Sequence, residues 1–115
     1  MTDDADVQDV IDRELRLQDP AVRHTPNLAG ELLDPQFHGR VWDRATALAM
    51  MAGQNEPPPV TDNLVATRLA DDVILLTCRT QRPERTALRG SLWLPRNGGP
   101  WRIYFHQGTV QPADG

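Results

Sequence analysis

Apolar side chains recur at helical spacing through residues 4–18, where Val7, Val10, Ile11 and Leu15 stand among charged residues. This pattern predicts an amphipathic helix. Asp19-Pro20 should end it, because the residue before proline resists the helical region. Thr25-Pro26 then opens a second short helix, with a capping threonine and a proline at the first position. Leu28, Leu32 and Leu33 give that helix an apolar side, and Asp34-Pro35 stops it. Asp43 caps a third helix, Arg44 to Ala52, which carries Ala45, Leu48, Met51 and Ala52 on one side and ends at Gly53.

Glu56-Pro57-Pro58-Pro59 divides the chain. Beyond it the apolar period changes to alternation, which predicts strands at 61–69, 73–82, 87–95 and 101–109. The connections are short and rich in turn residues, as in an antiparallel meander. Helices followed by such a sheet make an α+β pattern: one domain over 1–115, helical at about 4–53 and sheet at about 61–109. Val73-Ile74-Leu75-Leu76 is apolar on both faces and calls for cover on both. Helices serve for one face, and a second copy of the chain, in a homodimer through the sheet, for the other.

The last hairpin suggests a register. If Pro95 lies opposite Pro100, Leu94 meets Trp101, Leu92 meets Ile103, Gly90 meets Phe105 and Leu88 meets Gln107 on an apolar face. On the other face Trp93 meets Arg102, Ser91 meets Tyr104 and Arg89 meets His106.

Composition narrows the function. The chain has 115 residues and a net charge of -4, and every one of its 12 basic residues is arginine. An acidic balance argues against a nucleic-acid partner. No apolar run reaches the roughly 20 residues of a membrane span. The acidic start lacks the basic-then-apolar form of a secretory signal. Cys78 is the one cysteine, so no internal disulfide forms, a cysteine zinc site is excluded, and a cytoplasmic setting is expected.

Several stretches now stand out: Trp42-Asp43-Arg44, Leu75-Leu76-Thr77, Leu88-Arg89-Gly90-Ser91-Leu92-Trp93, Gly99-Pro100-Trp101-Arg102-Ile103 and His106-Gln107-Gly108-Thr109. Over roughly residues 13–110 the chain resembles the domain of unknown function 4440 family. That family lies in the nuclear transport factor 2-like superfamily, alongside SnoaL-like cyclases and ketosteroid isomerases. The resemblance implies a cystatin-like cone, with a curved antiparallel sheet wrapped on helices around a cavity, and pairing as dimers. It implies no particular reaction and no cofactor. Two departures are visible. Only Phe37-His38-Gly39-Arg40-Val41 stands where the family has a longer stretch, so a cavity wall is expected to be short, and Gly90 replaces a usual serine.

Candidate chemistry centres on His106, which as a histidine titrates near neutrality and serves acid–base work. A neighbouring Arg89 would lower its pKa and could itself bind an anion bidentately. Trp42, Trp93 and Tyr104 could line an apolar pocket with Ser91 as a polar handle. Each has a structural alternative: a strand histidine held by hydrogen bonds, an ion-paired arginine, and plain packing with Trp93 stacked on Arg102. Cys78 reads as a small core residue, Ser91 lacks a nucleophile elbow, and His24, His38 and His106 lie too far apart in sequence to promise a metal site. An isomerase needs a carboxylate inside the cavity. The acids after residue 50 (Glu56, Asp62, Asp71, Asp72, Glu84, Asp114) all fall in predicted turns, strand ends or the tail, which disfavours that chemistry. The sequence therefore points first to a dimer that binds a partly apolar or anionic small molecule. A SnoaL-like enzyme with His106 as acid–base and a protein–protein interaction module are the alternatives.

Overall fold

The computed structural model describes residues 4–39, 42–54 and 57–111. Parts of the acidic N-terminus and of the Phe37–Val41 stretch, together with Glu56 and Asp114, lie outside the described residues. The elements are α1 (Ala5–Arg16), α2 (Pro20–Arg23), α3 (Pro26–Leu32), β1 (Leu33–Gly39), α4 (Arg44–Gly53), β2 (Val60–Ala70), β3 (Val73–Arg82), β4 (Arg85–Leu94) and β5 (Arg102–Val110). One five-stranded sheet has the order β1-β5-β4-β3-β2, and the helices pack on one of its faces. This is the α+β arrangement expected.

Helix α1 begins where the Asp4 carboxylate accepts the Val7 N–H at 3.2 Å. Its inward stripe is Val7, Val10, Ile11 and Glu14, followed by Leu17 beyond the helix. Leu15, predicted on that stripe, is exposed, and Glu14 takes the inward place. The i+4 step from Val10 and the i+7 step from Val7 both lead to position 14. Asp19 caps α2 by accepting the Ala21 N–H at 2.9 Å, so Asp19-Pro20 starts a helix as well as ending one.

The sheet corrects the expectation of four antiparallel strands. Leu33–Gly39 forms a fifth strand, β1, parallel to β5, with Leu33 opposite Ile103 and Gly39 opposite His106. Pro35 is tolerated there because β1 is an edge strand, where a missing N–H costs no ladder bond. Asp34 is fully buried and fixes this strand. It accepts Arg96 Nε and Nη2 at 2.9 Å each and the Gln36 N–H at 2.8 Å.

The last hairpin also departs from the predicted register. Leu94 pairs with Arg102 and Trp93 with Ile103; after a bulge at Tyr104, Leu92 pairs with Phe105, Ser91 with His106, Gly90 with Gln107 and Arg89 with Gly108. Two causes combine. Arg96–Gly98 is a 3-10 turn with Asn97 at φ 54°, so the strands stop short of Pro95 and Trp101. The bulge then adds one residue to β5. The two faces change accordingly. Trp93, Trp101 and Ile103 are buried on the helix side, whereas Leu88, Leu92 and Phe105 lie on the outer side. Trp93 does not stack on Arg102. Its indole is fully buried, and the guanidinium over a tryptophan ring is that of Arg68, 6.0 Å from the Trp101 centroid.

Candidate functional site

On the inner face the register stacks side chains in rungs about 6–7 Å apart, twice the rise per residue. Ile74, Trp93 and Ile103 close the base. Leu76, Ser91 and His106 come next, then Cys78, Arg89 and Gly108, then Thr80, Ala87 and Val110, and Arg82 with Arg85 at the rim. Between the upper rungs and the helices lies a cavity of about 470 Å³. Phe37 and Gly39 of β1, Trp42, and Met50 and Met51 of α4 contribute to its wall, so the described part of the short stretch does line the cavity.

Two arginines project into this space. Arg89 donates Nε–H to Thr80 Oγ1 at 2.9 Å, and its Nη1 lies 3.4 Å from His106 Nε2. Gly108 makes room for it, since a Cβ there would sit 3.0 Å from Nη1. Arg23 of α2 donates to Gln54 Oε1 and to the Leu17 carbonyl. Among the described residues neither forms an ion pair with a carboxylate. Burial lowers the pKa of both and neighbouring arginines lower it further, while Cys78 and the Glu14 carboxyl pull Arg89 back up.

His106 sits beneath them. Burial, then the charges of Arg89 and Arg23, push its pKa down to about 4, so the ring is neutral at pH 7. Its Nδ1 is 2.9 Å from Ser91 Oγ. A guanidinium only donates hydrogen bonds, so Nε2 facing Arg89 is the acceptor and Nδ1 carries the proton. Ser91 Oγ therefore accepts from His106, which leaves its own O–H to donate toward Glu14, whose ionised form it favours.

Glu14 is not among the candidate residues of the sequence, where the carboxylate argument rests on the acids after residue 50. It is 5% exposed, lines the cavity and accepts the Trp93 Nε1–H at 3.2 Å. Burial raises its pKa, against the opposing pull of the Trp93 and Ser91 hydrogen bonds and the Arg89 charge. A carboxylate thus does stand inside the cavity, supplied by a helix instead of a strand. Its signal in the sequence is one charged residue at an inward position of an amphipathic helix.

The predicted site residues divide into three groups. Trp42, Arg89 and His106 line the cavity. Ser91 and Trp93 are buried behind it and touch it through His106 and Glu14. Tyr104 is the bulged residue, and its ring lies edge-on to His38, 5.1 Å between centroids. The order of groups, carboxylate–serine–histidine, differs from a hydrolase triad, where histidine stands in the middle. Burial raises the Cys78 thiol pKa to about 11, which makes it a poor nucleophile. His24 contacts the Gln54 carbonyl and His38 the rings of Tyr104 and Phe105, so the histidines do not converge. Among the described residues no cluster suits a metal ion, and no helix is long and apolar enough to cross a membrane.

No protein-family model and no curated protein matches the sequence. Solved structures do match the fold. An NTF-2 like protein of unknown function from Silicibacter pomeroyi superposes with a TM-score of 0.76 at 14% identity, over 96% of this chain and 100% of that one. A cystatin-like fold protein from Burkholderia xenovorans gives 0.74 at 13%, over 96% and 95%. An NTF2-like protein of unknown function in nutrient uptake from Rhodospirillum rubrum gives 0.74 at 15%, over 90% and 98%. At such identities the likeness carries the nuclear transport factor 2-like, cystatin-like fold and nothing about chemistry.

Proposed function

We propose that this protein binds a small, partly apolar anion in its cone-shaped cavity. One observation carries the reading: Arg89 and Arg23, both partly buried, face the same cavity without an ion-pair contact to a carboxylate among the described residues. Desolvated cations are costly unless paired, and a carboxylate or phosphate on the ligand would supply the missing charge. The aromatic and methionine walls favour an apolar body on that anion. Acid–base catalysis by His106 alone is weaker, because a group neutral down to about pH 4 is a poor proton acceptor at pH 7.

The proposal includes a homodimer through the outer sheet face. Leu75, Leu92 and Phe105 form a cross-strand row there, flanked by exposed Val65, Leu69 and Leu88. It also includes the narrower kinship to the domain of unknown function 4440, which rests on the Arg89–Trp93 and His106–Thr109 stretches, and the cytoplasmic setting expected of a chain with one cysteine. Native mass spectrometry tests the first two points together. A dimer with an anionic adduct that is lost on denaturation, and lost in Arg89→Met, supports them. An adduct-free protein whose melting temperature no apolar carboxylate raises would sink the binding reading. A monomer that captures a different protein would support an interaction module instead.

A further inference from the structure

We propose that the hydrogen-bonded chain Glu14–Ser91–His106 makes this pocket take up one proton with each anion it binds, with Glu14 as the residue that sets this selectivity. The proposal rests on the anion-binding reading above.

The chain has two self-consistent directions. With Glu14 ionised, every donor points toward it: Arg89 Nη1–H to His106 Nε2 at 3.4 Å, Nδ1–H to Ser91 Oγ at 2.9 Å, Ser91 O–H to Glu14, and Trp93 Nε1–H to Glu14 Oε1 at 3.2 Å. In that state His106 presents a lone pair beside Arg89. An anionic oxygen drawn to Arg89 would meet it with a second lone pair and no proton between them. Adding one proton to Glu14 reverses the chain. The carboxyl O–H then donates to Ser91 Oγ, Ser91 donates to Nδ1, and the imidazole carries its single proton on Nε2. That N–H and Arg89 together grip the anion. The Trp93 bond is kept, no imidazolium forms, and the balance is one proton in per anion.

The surrounding charges favour this partition. Arg89 and Arg23 oppose an imidazolium, and Arg82 and Arg85 at the rim have the same sign. Cys78 on β3 is a neutral thiol, His24 lies at the mouth, and α4 presents only apolar side chains to the cavity. Burial already pushes Glu14 toward its protonated form, and the charge of Arg89 resists. A bound anion cancels that resistance, so anion and proton bind with positive coupling.

The test is calorimetric titration with phenylacetate at pH 7 and pH 8, in buffers of unlike ionisation heat. The wild-type chain should take up between about half and one proton per phenylacetate. Its affinity should weaken by up to tenfold per pH unit, the limit for one linked proton. In Glu14→Gln the amide N–H replaces the carboxyl O–H toward Ser91 and holds the chain in its reversed direction. That variant should bind phenylacetate with no proton uptake and with the same affinity at both pH values. Nitrogen NMR of His106 should show the proton on Nδ1 in the free wild type and on Nε2 in the complex. Binding without proton uptake by the wild type, or undiminished uptake by Glu14→Gln, would overturn the proposal. Absence of binding heat in both proteins would overturn the anion-binding reading itself.

Discussion

The Asp34–Arg96 pair offers a calculation that can be checked. Asp34 has 0% side-chain exposure and Arg96 has 40%, so the two partners differ sharply in access to water. In Asp34→Asn the guanidinium loses two charge-assisted bonds but can be hydrated, and the Gln36 N–H keeps an acceptor. The expected cost is about 1–2 kcal/mol. Arg96→Met strands a buried carboxylate with one N–H partner. The cheapest escape is to protonate it. From an ordinary pKa of 3.8 that costs about 4 kcal/mol at pH 7 and about 1.5 kcal/mol at pH 5. At about 4–6 °C per kcal/mol for a chain of this size, Arg96→Met should melt about 16–24 °C below wild type at pH 7. The gap should roughly halve or better by pH 5.

The sign follows from linkage. In the wild type the Arg96 hydrogen bonds hold Asp34 below its ordinary pKa, so its stabilisation is present above about pH 4 and is lost as pH falls through the lowered value. In Arg96→Met the folded pKa lies above the unfolded one, so acid favours folding. Thermal melts of wild type, both single variants and Asp34→Asn/Arg96→Met at pH 5, 6 and 7 decide the matter. The double variant should recover most of the Arg96→Met loss. Equal costs for the two single variants, or an Arg96→Met deficit that does not shrink with acid, would refute the reasoning.

Three further outcomes are expected. His106 should not titrate by NMR until pH approaches about 4. Because its folded pKa lies below the unfolded value, the wild type should lose about 2 kcal/mol of stability between pH 7.5 and pH 5, and His106→Gln should not. Gly108→Ala should displace the Arg89 guanidinium, whose Nη1 would lie 3.0 Å from the new Cβ. Stability should change little because a flexible side chain yields, and phenylacetate affinity should fall. Ala87→Leu should fill part of the cavity that Ala87 lines, cutting phenylacetate affinity at least tenfold while melting temperature stays level or rises, since the added carbons enter existing space.

Much of the fold was legible because periodicity records burial. Val7, Val10 and Ile11 on α1 follow from the helical period, and the alternation that predicts strands at 73–82 and 101–109 comes within one residue of Val73–Arg82 and Arg102–Val110. What escaped has local causes. Leu33–Gly39 contains Pro35 and a buried Asp34, both contrary to strand composition, and only the edge position and Arg96 from the β4–β5 connection make them acceptable. The hairpin register depended on a 3-10 turn and a bulge that leave no period in the sequence. A two-residue displacement kept Arg89 and His106 on one face, because the side-chain period of a strand is two, and moved Ser91 opposite His106.

The same arithmetic explains why the site is where it is. Toward the base, the inner rungs carry Ile74, Leu76, Trp93 and Ile103, large enough to meet the helices. Above them stand Cys78, Thr80, Ala87 and Gly108, too small to reach across. A sheet that keeps one curvature while its inward side chains shrink must leave a space, and the large side chains that β3 and β4 send into it are arginines. Hydrophobic burial cannot fill it with Arg82, Arg85 or Arg89, whose charges resist full desolvation. Glu14 enters from the opposite wall at the one α1 position that reaches Trp93 and Ser91. Its carboxyl is hydrogen-bonded by neutral donors instead of a guanidinium, so its charge acts on Arg89 through space without an ion-pair contact. The cavity is roomy because the residues that would close it by size stand on the rungs below, and among the described residues the carboxyl that lines it with the arginines is that of Glu14.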